Sequence, residues 1–437
     1  MMRLDRNNLH LNIRLIALSA IAIGLPFPIL ITNLAIWLLI LNWLFESSLN
    51  EKFNALRTQP LALFFLAFFA WYALGLLYSD NLKQGSFELE KKLSFLVFPL
   101  ILASAKTPIS LREIRTIAKC FIISCLAATV ICLVYAVQRN YQEGHDLSYV
   151  YNAVFNDIHL EGRYYYFNYW YFTNKLFASA LGIHPVYLAM YLVFSSCLTV
   201  WLWLTSAARR HTATIVLFLL YNAIITVFLA SRTQVLILFI VGLCFVFYFV
   251  YLRKKILVSI LASVCFCLLA ISIIWFNPIL KERFIDSNKP GARFSENKYG
   301  EGGLSLRIYK WKYALNVISK NAVFGVGTGD AQDELQKEYL SQEFKIGYEN
   351  NFNAHNQFLQ TTLELGVFGL ILFLFYLGLS VKQSYKKGLG IHIVFISLFF
   401  ISCLTESMLE ANKGIVFFTL FNSLFVFAGS SAGKSQI

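Results

Sequence analysis

The run Asn356-Gln357-Phe358-Leu359-Gln360-Thr361-Thr362-Leu363-Glu364-Leu365-Gly366-Val367-Phe368-Gly369, continued by Leu370-Ile371-Leu372-Phe373-Leu374-Phe375-Tyr376-Leu377-Gly378-Leu379-Ser380-Val381, decides the fold class. It is long enough to cross a bilayer core, which takes about 17–25 mostly apolar residues in a helix. Blocks of this kind recur along the chain. Of its 437 residues 58% are hydrophobic and 14% charged, against roughly 25% charged in a soluble domain, and the mean hydropathy is +0.60. A membrane β-barrel would instead show short segments of alternating polarity. The sequence therefore reads as an all-α, polytopic integral membrane protein.

Working outward from that run, about 12 transmembrane helices are expected. Their approximate spans are 14–30, 31–46, 61–78, 91–105, 114–138, 183–205, 212–230, 233–252, 256–277, 356–381, 391–404 and 412–428. The basic residues fall into phase with this parse. Arg3, Arg6 and Arg14 precede the first span, Lys52 and Arg57 follow the second, and Lys106, Arg112 and Arg115 follow the fourth. Arg209 and Arg210 follow the sixth, Arg253-Lys254-Lys255 the eighth, Lys382, Lys386 and Lys387 the tenth, and Lys434 the last. Every second connection is basic, which places both termini in the cytoplasm. The net charge of +13 is explained by these short loops, so membrane lipids rather than nucleic acid are the expected partners. The basic N-terminus before an apolar run has the outline of a signal peptide. The run continues through Pro26 and Pro28 into a second block, so it is read as a retained helix.

Three stretches result: 1–277 with nine helices and a smaller outward loop at 139–182, a large outward loop at 278–354, and 355–437 with the last three helices. A loop as long as the second is usually functional or disordered. Within it, apolar residues at 304, 308, 311 and 315 recur at helical spacing with Arg307, Lys310 and Lys312 among them, the pattern of an amphipathic helix at the membrane surface. The first loop is aromatic-rich around Tyr164–Phe167 and Tyr169–Phe172, suited to an interfacial belt or to a sugar platform. The eight cysteines lie in or beside apolar segments, without zinc-like spacing to histidines, so neither disulfide, metal nor cofactor is expected.

The residues that can carry chemistry are few. His355 falls at the outward end of the tenth span, where an imidazole can take a proton near neutral pH; the alternative is a histidine that merely satisfies a helix start. Arg232, in Leu229-Ala230-Ser231-Arg232-Thr233, sits between two apolar blocks with almost no loop. An arginine there is costly without a partner and its fork suits phosphate, although a snorkelling side chain fits too. Arg307 is either a third functional cation or one of several solvating a surface helix, with Lys310 and Lys312 as rivals. His184, before Pro185 and Tyr187, can shape a site or start a helix. Glu406 and Glu410, in the last outward connection, can orient His355 or an arginine, or be solvated.

Asn353-Ala354-His355-Asn356-Gln357 opens the pattern H-N, nine residues, then G-x-x-G at Gly366-Val367-Phe368-Gly369. This resembles the signature of the O-antigen ligase and polymerase superfamily, bacterial inner-membrane enzymes that transfer glycans from a lipid pyrophosphate carrier. Gly366 and Gly369 by themselves signal close helix approach. The order of an arginine in Ser231-Arg232-Thr233, an arginine in the large loop and then the histidine also looks like the ligase pattern, as does the glycine-rich stretch Asn321–Gly329. The resemblance implies Arg232 and Arg307 on the pyrophosphate, His355 as the base that activates the acceptor, and Asn356, His184 and Glu406 as supporting residues. It implies a periplasmic site, an undecaprenyl-pyrophosphate-linked glycan donor, a lipid A-core acceptor, inversion at the anomeric carbon and no metal.

Arg163, Arg283, Arg293 and Arg307 all lack a glycine eleven residues on, which favours a ligase over a polymerase of the same superfamily. A protein O-oligosaccharyltransferase is a third member reading. A transporter or flippase, from a different class, is disfavoured because the charges gather at the outward ends rather than at mid-membrane.

Overall fold

The computed structural model describes residues 6–142, 169–206, 212–251 and 304–429, together with 260, 264 and 275. The expected span 256–277 apart from 260, 264 and 275, most of the loop 139–182, residues 278–303 and Lys434 lie outside the described residues, as does the Tyr164–Phe167 part of the aromatic run. The described elements are helical. In chain order they are α1 (Arg6–Gly24), α2 (Ile29–Glu46), α3 (Leu49–Arg57), α4 (Pro60–Leu76), α5 (Leu82–Lys92), α6 (Ser94–Ser104) and α7 (Leu111–Gln142). There follow α8 (Asn174–Ala178), α9 (Pro185–Leu204), α10 (Thr212–Phe228), α11 (Arg232–Tyr251), α12 (Leu304–Lys320), α13 (Ala331–Ser341), α14 (Lys345–Glu349), α15 (Gln357–Lys387), α16 (Gly390–Cys403) and α17 (Asn412–Val426).

Each expected span apart from 256–277 coincides with a helix. Among the described residues four helices are long and apolar enough to cross a membrane: α2, α7, α9 and α15. Shorter apolar helices include α10, α16 and α17, while α3 and α4 together pass as one span bent by 100°. The bend has local causes. Thr58 caps the C-terminal end of α3, its N–H donating to Ala55 O (3.2 Å), and Pro60 starts α4, where its missing N–H is no loss. Two short helices, α3 and α5, occupy what reads in the sequence as connection. They carry polar residues that no membrane-span pattern picks out.

The chain divides into two compact units: residues 1–25, 29–118 and 287–437, and residues 26–28 and 119–286. In the first, an aromatic core joins α4, α6, α15, α16 and α17. Phe65 stacks on Tyr376 (3.9 Å between centroids), Phe68 on Phe373 (5.6 Å), and Phe399 on Phe418 (4.4 Å). Its connections meet in two groups. In one, Arg14 donates to Thr107 O (2.6 Å) and pairs with Glu113 (3.1 Å), His10 bonds Asn42 (2.9 Å), and Lys387 Nζ donates to the Val426 and Ala428 carbonyls. Arg14, expected to flank the first helix, is thus inside α1 and 2% exposed. In the other group, Tyr78 donates to Phe324 O (2.6 Å) and Asp330 accepts from Asp80 N and Asn81 N (2.8 Å each).

The described part of the large loop is folded. Tyr313, Ala314, Val317, Leu335, Tyr339, Phe344 and Phe352 form a small core under α12, α13 and α14, closed below by Leu363 of α15. α12 therefore has two apolar faces. One enters this core, and the face foreseen in the sequence stays outward, with Ile308 and Leu315 about half exposed.

Candidate functional site

The site starts from the break in α15. Gly366 lies at φ +67°, ψ −171°, so the helix is interrupted eleven residues after His355. The interruption frees the carbonyls of Leu363 and Glu364, which accept from Val326 N (2.9 Å) and Gly327 N (3.0 Å), while Val367 N donates to Ala322 O (2.8 Å). The glycine-rich stretch is thereby zipped against the break. A Cβ on Gly366 would lie 2.1 Å from Val323 O, so its φ and the approaching backbone both demand glycine. What packs against Gly366 is this irregular backbone, not the neighbouring helix expected from the spacing, and a Cβ on Gly369 would meet Leu365 of its own helix. Nor is the stretch a phosphate cradle. The amides of residues 325–329 are spent on Asn321 O, Leu363 O, Glu364 O, Gly75 O and Ser79 Oγ.

His355 stands just before α15. Asn356 caps the helix, its Oδ1 accepting from Phe358 N (2.9 Å) and Leu359 N (3.1 Å), and its Nδ2 donates to Leu404 O (3.0 Å). This satisfies two of the orphan amides of a helix start and ties it to the end of α16. His355 itself adopts φ +46°, a left-handed conformation uncommon outside glycine and worth about 1–3 kcal/mol of strain. It is held there by His355 N donating to Asn353 Oδ1 (3.0 Å) and by Trp311 Nε1, 3.5 Å from the His355 carbonyl.

The imidazole meets the α16–α17 connection. His355 Nδ1 lies 2.9 Å from Glu406 Oε2, and Arg307 Nη2 of α12 lies 2.8 Å from Glu406 Oε1. An ionised carboxylate only accepts, so Nδ1 carries the hydrogen, and in the neutral imidazole of that tautomer the lone pair is on Nε2. His355 is 24%, Arg307 20% and Glu406 16% exposed, reachable from outside yet fixed. The geometry is that of a base oriented by a carboxylate, with a guanidinium beside it that keeps further N–H donors for an anion. Of the rival cations, Lys310 is 3% exposed and its Nζ sits 3.4 Å above the Phe352 ring.

A second charged cluster lies in the same unit. Lys92, fully buried, has Glu410 at 3.3 Å, Glu88 at 3.5 Å and Glu364 at 3.8 Å, and Lys91 pairs with Glu88. Burial, with Glu364 as a like-charged neighbour, pushes the Glu410 carboxyl up to about 8. The sequence reading named Glu410 but missed Glu88, Lys92 and Glu364. The one visible signal was Glu364, an ionisable residue inside a membrane-length helix.

Arg232 and His184 belong to the second unit. Arg232 opens α11 after a turn in which Ala230 takes φ +50°, with Ser231 and Thr233 buried on either side, so it stands at the helix boundary expected of it. His184 is the N-cap of α9, its Nδ1 accepting from Val186 N at 3.4 Å, which is the helix-start role.

No curated protein matches the chain. Residues 216–374, a segment that holds Arg232, Arg307, His355 and the Gly366 break, match the O-antigen ligase family, and the match supports the O-antigen ligase superfamily for this chain.

Proposed function

We propose that the protein is a glycan ligase of the cell envelope. It would move a glycan from undecaprenyl pyrophosphate to a sugar hydroxyl of a lipid A-core acceptor, on the periplasmic side of the bacterial inner membrane. The single observation that carries this reading is the Arg307–Glu406–His355 chain, whose arginine and histidine lie inside the segment that matches the O-antigen ligase family. In the proposed step the acceptor oxygen attacks the anomeric carbon, its proton passes to His355 Nε2, and the bond from that carbon to the pyrophosphate oxygen breaks. Glu406 stabilises the imidazolium that forms, and Arg307 offsets the charge gathering on the leaving pyrophosphate. Arg232 is assigned to the same pyrophosphate by the resemblance alone.

The test is His355→Ala in the native host, with surface polysaccharide scored on a gel and the protein quantified in membranes. The ligase reading expects polymerised glycan to accumulate on the carrier while none reaches the core. A core that carries single repeat units without a ladder would identify the polymerase of the superfamily instead. An unchanged ladder at normal protein level would remove His355 from the chemistry.

A further inference from the structure

Beside the histidine motif the first unit holds a cavity of about 170 Å³, room for about five or six waters at ~30 Å³ each or for one sugar ring. Its wall includes Glu88 and Lys91 of α5, Gln332 of α13, Asn353, Glu364 of α15 and Glu410. Asn353 is the residue whose Oδ1 accepts from the backbone amide of His355, so the cavity wall is two residues from His355 in the chain and bonded to its backbone.

Glu364 points to an occupant. It is 1% exposed. Its Oε1 accepts from Gln360 Nε2 (2.7 Å), but its Oε2 is buried and receives no hydrogen bond. Lys92 Nζ, at 3.8 Å from that oxygen, is beyond hydrogen-bond reach. A buried carboxylate oxygen without a donor is costly, and one that borders a polar cavity is relieved by a ligand that donates. Hydroxyl groups do so in short, charge-assisted bonds. With the Glu410 carboxyl raised to about 8, Glu88 and Glu364 balance Lys91 and Lys92, so the cavity has no surplus cation with which to hold an anion. It suits a neutral or amino sugar, and it disfavours the pyrophosphate of a donor or a ring that bears phosphate or carboxylate.

We propose that this cavity seats the reacting ring of the acceptor, a neutral or amino sugar whose hydroxyls donate to Glu364, and that the Arg307 side takes the anionic donor. The assignment rests on the transferase reading above.

The test uses the purified full chain in lipid nanodiscs, with a polyprenyl-pyrophosphate-linked glycan as donor and core lipid from a host lacking the protein as acceptor. Initial rates are measured against each substrate for wild type, Glu364→Gln and Gln332→Trp, the last filling the cavity without changing its charge. Both variants should raise the KM for acceptor about tenfold or more, the cost of one charge-assisted hydrogen bond, with the KM for donor unmoved. Thermal midpoints equal to wild type establish that the folded protein is being read. If wild type transfers glycan and either folded variant keeps the wild-type KM for acceptor, the cavity assignment falls while the ligase reading stands. If wild type transfers nothing, both fall.

Discussion

His392 and His355 lie near opposite ends of α15, and their surroundings differ in kind. His392 is fully buried, with both ring nitrogens occupied, Nδ1 by Ser384 Oγ at 2.6 Å and Nε2 by Asn422 Oδ1 at 3.0 Å. Asn422 continues the chain to Tyr376 (3.3 Å). Every member is uncharged or neutral as imidazole, and the network sits between packed aromatic rings. His355 is partly exposed, bonds an ionisable carboxylate through one nitrogen, has an arginine on that same carboxylate, and sits on strained backbone. A closed neutral network joins helices inside a membrane, where an unmet polar group has no water to turn to. A charged, half-open and strained one is the arrangement the proposed chemistry calls for. The residue type alone says nothing; the second ring nitrogen decides.

The widest separation between the two is expected in turnover. In purified protein, His355→Gln should lower kcat by about 10²–10⁴-fold, the range for losing a positioned base. His392→Gln should leave the activity of each folded molecule near wild type while lowering the thermal midpoint. Equal losses of turnover in the two variants would erase the distinction.

A smaller effect probes the carboxylate. Glu406→Gln keeps the shape but loses the charge that holds Nδ1–H and steadies the imidazolium, and should cost about 10–100-fold in kcat, as loss of an orienting partner does. A wild-type rate would make Glu406 a bystander. The helix break comes next. Gly366→Ala must hold a Cβ at φ +67° and 2.1 Å from Val323 O, so it should lower stability by at least about 1–2 kcal/mol from the left-handed conformation alone, read as a drop in the thermal midpoint in detergent. The smallest effect is Asn356→Ala, about 1 kcal/mol for a lost helix cap, measured the same way. A larger loss of turnover than of stability there would show that the cap also aims His355.

The membrane helices were legible because apolar blocks are a local property, as were His355 and Asn356, because their spacing from Gly366 is written in consecutive residues. Arg307 had Lys310 and Lys312 as rivals in the sequence; the structure sets the Lys310 ammonium over the Phe352 ring and the Arg307 guanidinium on Glu406. Glu406 read as a candidate orienter of either group. That it binds both depends on α12 and the α16–α17 connection meeting at His355, which no local pattern encodes. The Lys92 cluster was hidden for the same reason. α5 reads as a polar connection, and Glu88 gains meaning only when folding sets it beside Glu364 and Glu410. Gly366 was read, with Gly369, as a point where a neighbouring helix comes close; its partner proved to be the irregular backbone of the glycine-rich stretch instead.

The most direct measurement is imidazole rescue of His355→Ala. With donor and acceptor supplied to the purified, folded variant, transfer should be nearly absent, and added imidazole should restore it in proportion to the unprotonated imidazole present. Wild-type transfer by the folded variant without imidazole would contradict the claim that His355 is the base.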